Sequence, residues 1–256
     1  MPSAIKKARE FGDDLAIIFV ESQGATQERM ERFAWDRGWM GTTAMWTREA
    51  PFRTGSRGLP NFALIGADGK ILMKGHPMSM QSKVVKAIEE EIKKGKGAPD
   101  GAPKSLKSAY KALAKGDYAK AHAAAVKVVA KAGDDTAAAQ AFIESLDTRF
   151  GKNVERVEYL LSNGYALRAD ALYDELRAGA KGNDDFEARA AALTESITSD
   201  EVADEMKLDK AFSKLEEKLH QNGLDEKLLK KVRKLAEKNE GSRVMQRAGR
   251  ILDLAG

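Results

Sequence analysis

The sequence predicts two domains, an α/β domain at residues 1–95 and an all-α, helical-repeat-like domain at 105–256, separated by a linker at 96–104. Apolar runs of strand length lie in the first part, and a chain of 256 residues suits two domains. Residues 95–104 hold three glycines and two prolines, a composition that cannot continue a helix. Beyond them, apolar residues recur with helical spacing and no segment alternates as a strand does.

In the first domain, helices are predicted at residues 3–11 and 25–37 and strands at 15–20 and 42–47. Residues 15–20 form a continuous apolar run, which is typical of a strand buried on both faces. Residues 42–47 are rich in threonine and include a tryptophan, a composition that favours strands.

A β-hairpin is predicted next, from the apolar runs at 62–65 and 71–73 and the turn residues 67–69 between them. Asp-Gly in that turn supplies the positive φ that a tight turn needs. Pro60 cannot donate a hydrogen bond to a sheet, so it belongs at the start of the first strand. It is also a candidate for a cis peptide bond. A helix ending near residue 94 follows the hairpin.

These pieces, in this order, resemble the thioredoxin-like superfamily, and in particular its thiol-disulfide reductase branch. The matching parts are the apolar strand ending at Val20, the helix after it, the segment 56–60, where the family has its cis-proline loop, and Asp68-Gly69-Lys70 in the hairpin turn. The resemblance covers the first domain and implies an α/β thioredoxin-like fold there.

The chain departs from that family at the reactive centre. Redox members open the helix after the first strand with Cys-x-x-Cys, and that place falls at Gly24, Ala25, Thr26 and Gln27. The chain contains no cysteine, whereas thiol-disulfide exchange requires an attacking thiolate. The sequence therefore excludes this chemistry, together with disulfides and thiolate-metal sites. No cofactor is predicted.

The helical domain begins with residues 107–121, which resemble one tetratricopeptide unit: a helix, a Gly-Asp-Tyr turn and an alanine-rich returning helix. An array of such units repeats at about 34 residues, and the later segments do not keep the consensus. They are predicted to be degenerate helical repeats or an irregular bundle, with helices at 153–163, 165–179, 184–197, 201–221, 225–238 and 241–254.

The net charge of +4 is smaller than a nucleic-acid-binding domain usually carries, so no nucleic acid partner is predicted. Residues 1–104 hold 17 Lys and Arg against 13 Asp and Glu, whereas the remainder holds 26 of each. The excess therefore lies on the first domain and favours acidic partners. The Lys/Glu-rich stretch 205–238 is predicted to be a solvated helix face with i,i+4 ion pairs.

A peptide-binding surface is predicted on the loop before Pro60, because the family places this loop against its substrate chain. Its residues are Arg53, Arg57, Gly58 and Leu59. An arginine suits a carboxylate, which it can meet with two parallel hydrogen bonds. Trp39, in a turn after the first long helix, is a further surface candidate, whereas Trp46 is predicted to be core.

An enzymatic alternative is a glutathione-transferase-like protein, because those enzymes also join a thioredoxin-like domain to a helical one. Ser22 would then stabilise the thiolate of a bound ligand. Those enzymes carry an acidic-Ser pair after the hairpin, and residues 75–79 lack the acid. The alternative role of Ser22 is that of a plain loop or helix-capping residue.

No metal site is predicted, because the three histidines, His76, His122 and His220, are widely spaced and lack neighbours at ligand spacing. No segment reaches the ~18 apolar residues of a membrane-spanning helix. The polar start of the chain has no signal-peptide core, which predicts a soluble protein. A periplasmic or secreted location agrees with the family resemblance if a signal was removed, so the compartment stays open.

These observations together predict a redox-inactive thioredoxin-like protein that acts as a protein- or peptide-binding or scaffolding module. The partner, the oligomeric state and the orientation of the two domains are left open by the sequence.

Overall fold

The computed structural model describes residues 2–21, 23–40, 44–49, 58, 60–66, 69–76, 80–95, 98–99 and 101–256. The contacts between residues divide the chain into two compact units, Met1–Pro99 and Asp100–Gly256, called unit 1 and unit 2 below. Of the predicted linker, residues 96, 97 and 100 lie outside the described part of the chain.

Unit 1 combines helices with short strands. In chain order its elements are α1 (Pro2–Phe11), β1 (Ile17–Val20), α2 (Gln27–Asp36), β2 (Ala44–Thr47), β3 (Phe62–Ile65), β4 (Ile71–Gly75) and α3 (Gln81–Gly95). A 3-10 turn at Gly12–Asp14 connects α1 to the segment before β1. The helices and strands predicted for the first domain are therefore confirmed to within a few residues.

The strands of unit 1 form two small sheets. β1 pairs in parallel with β2, and β3 pairs antiparallel with β4, with an irregularity between Leu64 and Ile65. The element order, β-α-β followed by β-β-α, is that of the predicted α/β domain. Among the described residues, however, the two pairs are separate sheets, so the thioredoxin-like arrangement stays a prediction.

The prediction that β1 is buried on both faces is wrong. Its side chains alternate, with Ile17 and Phe19 half-buried and Ile18 and Val20 exposed by 50% and 39%. The physical reason is that the described part of the chain covers one face of β1 and leaves the other to solvent. The core of unit 1 comes mainly from its helices, through Ile5, Ala8, Met30, Ala34, Trp35 and Ile88.

The described elements of unit 2 are all helical. After a 3-10 turn at Lys104–Leu106 they are α4 (Lys107–Leu113), α5 (Tyr118–Val129), α6 (Thr136–Ser162), α7 (Ala166–Ala180), α8 (Asp184–Ala191), α9 (Thr194–Thr198), α10 (Asp200–Asn222), α11 (Glu226–Lys238) and α12 (Arg243–Ala255). Aspartate, asparagine or serine caps several of these helices; the Asp225 carboxylate, for example, accepts the N–H groups of Lys227 and Leu228. None of the described helices has the length and apolarity to cross a membrane.

Helices α4 to α8 share one core, in which neighbouring helices pack against each other in chain order. Aromatic rings fill its centre: Tyr118 meets Phe150 edge-on at 5.1 Å, and Phe150 stacks on Phe186 at 4.5 Å between ring centroids. The predicted helix–turn–helix at 107–121 is present as α4, a turn and α5, and Asp117 caps α5 through the N–H of Lys120.

Helices α10, α11 and α12 pack on one another, and α10 also contacts α7. The apolar side chains buried there are Phe212, Leu219, Leu229, Val232, Val244 and Ile251. The helices predicted from residue 165 onward are confirmed, with the one at 184–197 divided into α8 and α9. The one predicted at 153–163 is the end of the longer α6.

Candidate functional site

The segment between β1 and α2, where the sequence predicts the degenerate redox motif, is organised around the carboxylate of Glu21. Glu21 accepts the backbone N–H of Gln23 at 2.6 Å and those of Gly24 and Ala25 at 2.9 Å. Thr26 then caps α2 by accepting the N–H of Arg29 at 3.2 Å. Backbone N–H groups that could stabilise a bound anion are thus satisfied internally, and the arrangement starts a helix.

The predicted peptide-binding loop is described only in part. Ser22, Arg53, Arg57 and Leu59 lie outside the described residues. Gly58 and Pro60 are exposed, and the side-chain amide of Asn61 donates to the Gly58 carbonyl at 3.1 Å. Of the predicted loop residues, Gly58 therefore lies at the surface, and Pro60, the candidate for a cis peptide bond, is exposed beside it, shortly before β3.

Trp39 belongs to an aromatic cluster at the carboxyl end of α2. Its ring meets Phe33 edge-on at 5.5 Å, and the Arg37 guanidinium lies 4.3 Å from the Phe33 centroid and 5.7 Å from the Trp39 centroid. Phe33 is 44% exposed, and Trp39 is half-buried. A guanidinium stacked on aromatic rings keeps its edge available for an acceptor.

The other two tryptophans do not belong to this cluster. Trp35 is buried against the core side of α2, and Trp46 on β2 stacks on Phe19 at 5.1 Å and is half-buried. Trp39 lies at the end of α2 opposite to Gly24–Gln27, about 15 Å away for a helix of this length. Helix α2 therefore does not bring the two candidate sites together.

The β3–β4 hairpin has an exposed apolar and basic surface. Ile65, Ile71 and Leu72 are exposed by 46%, 48% and 42%. Lys70 and Lys74 are exposed on the same hairpin. Residues 51–86, which contain the hairpin, hold six Lys and Arg against one Asp or Glu. Positive charge is thus more concentrated in this segment than the net charge of +4 for the whole chain indicates.

The three histidines are not brought together. His76 is exposed after β4, His122 lies within 3.2 Å of the Asn183 amide, and His220 is half-buried on α10. In the part of the chain that the structure describes, no three acidic, histidine or cysteine side chains are placed to hold a metal ion.

A buried ionic cluster in unit 2 was not predicted. Arg247, which is 5% exposed, donates to the Asp209 carboxylate at 2.8 Å, the Gly164 carbonyl at 2.6 Å and the Ser213 hydroxyl at 3.3 Å. It also lies 3.3 Å from the Glu216 carboxylate. Asp209 accepts the N–H of Leu167 as well. The cluster thus ties the start of α7 to α10 and α12.

Aromatic rings and burial shape the electrostatics of this cluster. The Arg247 guanidinium lies 4.3 Å from the Tyr165 ring centroid and 4.8 Å from that of Phe212, and its buried Nε has no partner in the described part of the chain. Burial raises the pKa of the Glu216 carboxyl above its ordinary value; Arg247 opposes this rise and Asp209 adds to it. Burial also raises the pKa of Tyr165.

The sequence did contain a signal for this cluster. Arg247 lies between Val244 and Ile251 at helical spacing, so a cation stands on the apolar face of α12. An inward-facing arginine needs carboxylates nearby, because an unpaired buried charge is costly.

No family model, curated protein or solved structure matches this chain. Functional proposals therefore depend on the geometry described above and on the resemblance in motif order.

Proposed function

We propose that this chain is a redox-inactive thioredoxin-like protein that binds an acidic peptide or protein segment through unit 1. The observation that carries the proposal is the β3–β4 hairpin, which exposes Ile65, Ile71 and Leu72 within the basic segment 51–86 of unit 1. Exposed apolar side chains surrounded by charge are typical of interaction surfaces.

The chemistry of this surface selects its partner. Apolar side chains beside lysines favour a segment in which apolar and acidic residues alternate, because both kinds of side chain then find a complement. In the described part of the chain, β3 pairs with β4 alone. An extended segment could add to the hairpin as a further strand, with main-chain hydrogen bonds giving affinity.

The loop before the hairpin belongs to the same proposal. Arg53, Arg57 and Leu59 immediately precede β3 in the chain, and in the family that the sequence resembles this loop contacts the substrate. The two arginines add to the local positive charge and would form bidentate hydrogen bonds with carboxylates. The Phe33–Arg37–Trp39 cluster supports the same class of partner, since it too combines exposed aromatic surface with a guanidinium.

A peptide-display selection on the full chain tests the proposal. We expect the selected peptides to combine Asp or Glu with apolar residues. The affinity of the leading peptide should fall about tenfold, which is about 1.4 kcal/mol, in the double variant Lys70→Glu, Lys74→Glu. The matched control is Lys107→Glu with Lys111→Glu, two exposed lysines of α4, and it should bind as the wild type does.

Either of two results would contradict the proposal: selected peptides without an acidic bias, or equal loss of affinity in the hairpin variant and in the α4 control. The transferase alternative has its own test. A rise of melting temperature with glutathione concentration would favour it, since a ligand of the folded state stabilises by mass action. We expect no such rise.

A further inference from the structure

Helix α11 carries an unusually uniform positive face. Five of its lysines are exposed, and their spacings of three, one, three and four residues place them on one side of the helix. We call this set the lysine face; it consists of Lys227, Lys230, Lys231, Lys234 and Lys238. The opposite side of α11 is buried through Leu229 and Val232.

No ion pair between described residues neutralises the charge of the lysine face. Within the described residues, none of the five lysines lies within 4.0 Å of a carboxylate, and the nearby Glu226 pairs instead with Arg233 at 3.6 Å. The prediction that the lysines of 205–238 form i,i+4 ion pairs is therefore wrong for this helix. Among pairs of described residues, the one lysine of the stretch that does form an ion pair is Lys207, with Asp204 at i−3.

Three acidic side chains of the neighbouring helix α10 are engaged with α12 and not with these lysines. On α10, the Glu205 carboxylate accepts the N–H groups of Arg243 and Val244, and Asp209 and Glu216 both contact Arg247. The solvent side of α10 carries further exposed lysines, at 210, 214 and 218. On α10, therefore, three carboxylates are engaged with α12, whereas these three lysines and the Glu217 carboxylate face solvent.

The shape of the lysine face indicates a narrow, linear partner. It extends over twelve residues of α11, from Lys227 to Lys238, a rise of about 16 Å. By helical periodicity, Glu226 and Glu237 lie together on one flank, and they limit its width. A partner α-helix with carboxylates at i, i+3, i+4 and i+7 has the same rise between charges. Single-stranded nucleic acid is bound through stacking aromatic side chains, and the face has none.

We propose that the lysine face of α11 docks an acidic α-helix of a partner protein, which would bear Glu or Asp along one side. The site lies in another part of the sequence than the hairpin of unit 1 and is proposed to bind a helix, not an extended segment, so its test is independent of the proposed function. Long-range attraction would speed the encounter, and several weak pairs along the helix would add up to the affinity.

The experiment measures the fluorescence anisotropy of a labelled alanine-based peptide of about 18 residues, five helical turns, with Glu along one side. The full chain should bind it more tightly than a peptide of the same composition with Glu distributed around the helix. The variant Lys230→Glu, Lys234→Glu should weaken binding about tenfold, equivalent to about 1.4 kcal/mol. The hairpin variant Lys70→Glu, Lys74→Glu and the α4 variant Lys107→Glu, Lys111→Glu should bind as the wild type does.

Circular dichroism should show the same helical content in all variants, because the substituted lysines are exposed. Oligothymidylate and vesicles containing phosphatidylserine serve as competitors. Tighter binding of either one than of the one-sided peptide would overturn the proposal in favour of nucleic acid or a membrane surface. Equal binding of the two peptides, no binding, or loss of binding in the hairpin or α4 variant would overturn it as well.

Discussion

Arg247 lies on the apolar face of α12, and its guanidinium is held by Asp209, Glu216 and the Gly164 carbonyl. Replacing it with leucine would leave two carboxylates in a buried site without their cation. Breaking a buried ion pair from one side typically costs about 3–5 kcal/mol. We therefore expect Arg247→Leu to lower the free energy of unfolding by that amount, measured by urea denaturation.

The matched control for this prediction is Arg250→Leu. Arg250 is exposed on the same helix, and its guanidinium donates to the Asn163 side chain at 3.5 Å. Its replacement should change the unfolding free energy by less than about 0.5 kcal/mol. Similar effects of the two substitutions would show that the buried cluster contributes no more than a surface charge.

The carboxyl of Glu216 gives a prediction about how stability depends on pH: replacing it should stabilise the protein at high pH. Its pKa is raised in the folded state by burial, so the folded state holds this proton more tightly than the unfolded state does. Stability from this group is present below the ordinary carboxyl pKa of 4.5 and is lost as the pH rises through the higher folded value. Glutamine does not ionise, so the variant Glu216→Gln does not lose this stability as the pH rises. The melting temperature of the variant minus that of the wild type should therefore increase from pH 4 to pH 8.

Thermal melts of both proteins across this pH range make the measurement. The charged groups near Glu216 are Arg247, Asp209 and Arg168, and they are the same in both proteins. A difference that decreases as the pH rises would mean that the ion pair with Arg247 outweighs desolvation. The pKa would then be lowered.

The positions of single residues on a helix face can be predicted from the sequence, whereas their contacts cannot. That an arginine stands on the apolar face of α12 can be read from helical spacing, and the inward-facing acids of α10 follow the same spacing. Which of these groups bind each other cannot be predicted from the sequence, because Gly164, Asp209 and Arg247 are far apart in the chain and come into contact through helix packing. The surface position of Trp39 was predicted from its place in a turn after α2, and the structure describes it as half-buried.

At the scale of elements, local signals located most helices and the β3–β4 hairpin, because caps, turn residues and apolar spacing are local properties. The burial of β1 was misjudged for the converse reason. A run of apolar residues such as 15–20 shows that burial would be favourable, whereas its actual burial depends on which elements cover it. The inner acids and outer lysines of α10 likewise depend on the helices packed against it.

The contact between α7 and the turn before α5 gives a prediction at this scale. A Cβ atom added to Gly179 of α7 would overlap the Gly116 carbonyl oxygen, which belongs to a backbone that cannot easily move. Gly179→Ala should therefore destabilise unit 2 by about 1–3 kcal/mol, as overpacked cores do. Chemical denaturation followed by circular dichroism measures this change.

Gly249 provides the matched control, since it too lies inside a helix but a Cβ there would meet no atom within 4 Å. Gly249→Ala should stabilise the protein by about 0.5–1 kcal/mol through the higher helix propensity of alanine. If both substitutions stabilised the chain, the close packing of α7 against the turn at Gly116 would be refuted.

At the scale of the whole molecule, the glycine- and proline-rich stretch 95–104 predicts two separately folding parts, and the contacts divide the chain at Pro99. Tryptophan offers a way to observe one unit alone. All three tryptophans, Trp35, Trp39 and Trp46, belong to unit 1, and unit 2 has none. Their fluorescence therefore reports unit 1, whereas far-UV circular dichroism is dominated by the nine α-helices described in unit 2.

The two signals should separate when only unit 2 is weakened. Arg247→Leu should lower the melting midpoint seen by circular dichroism by roughly 10 °C, because a unit of this size loses about 2–4 °C per kcal/mol. The midpoint seen by tryptophan fluorescence should stay at its wild-type value, since the buried cluster contains no residue of unit 1. An equal fall of both midpoints would instead mean that the two units unfold as one cooperative structure.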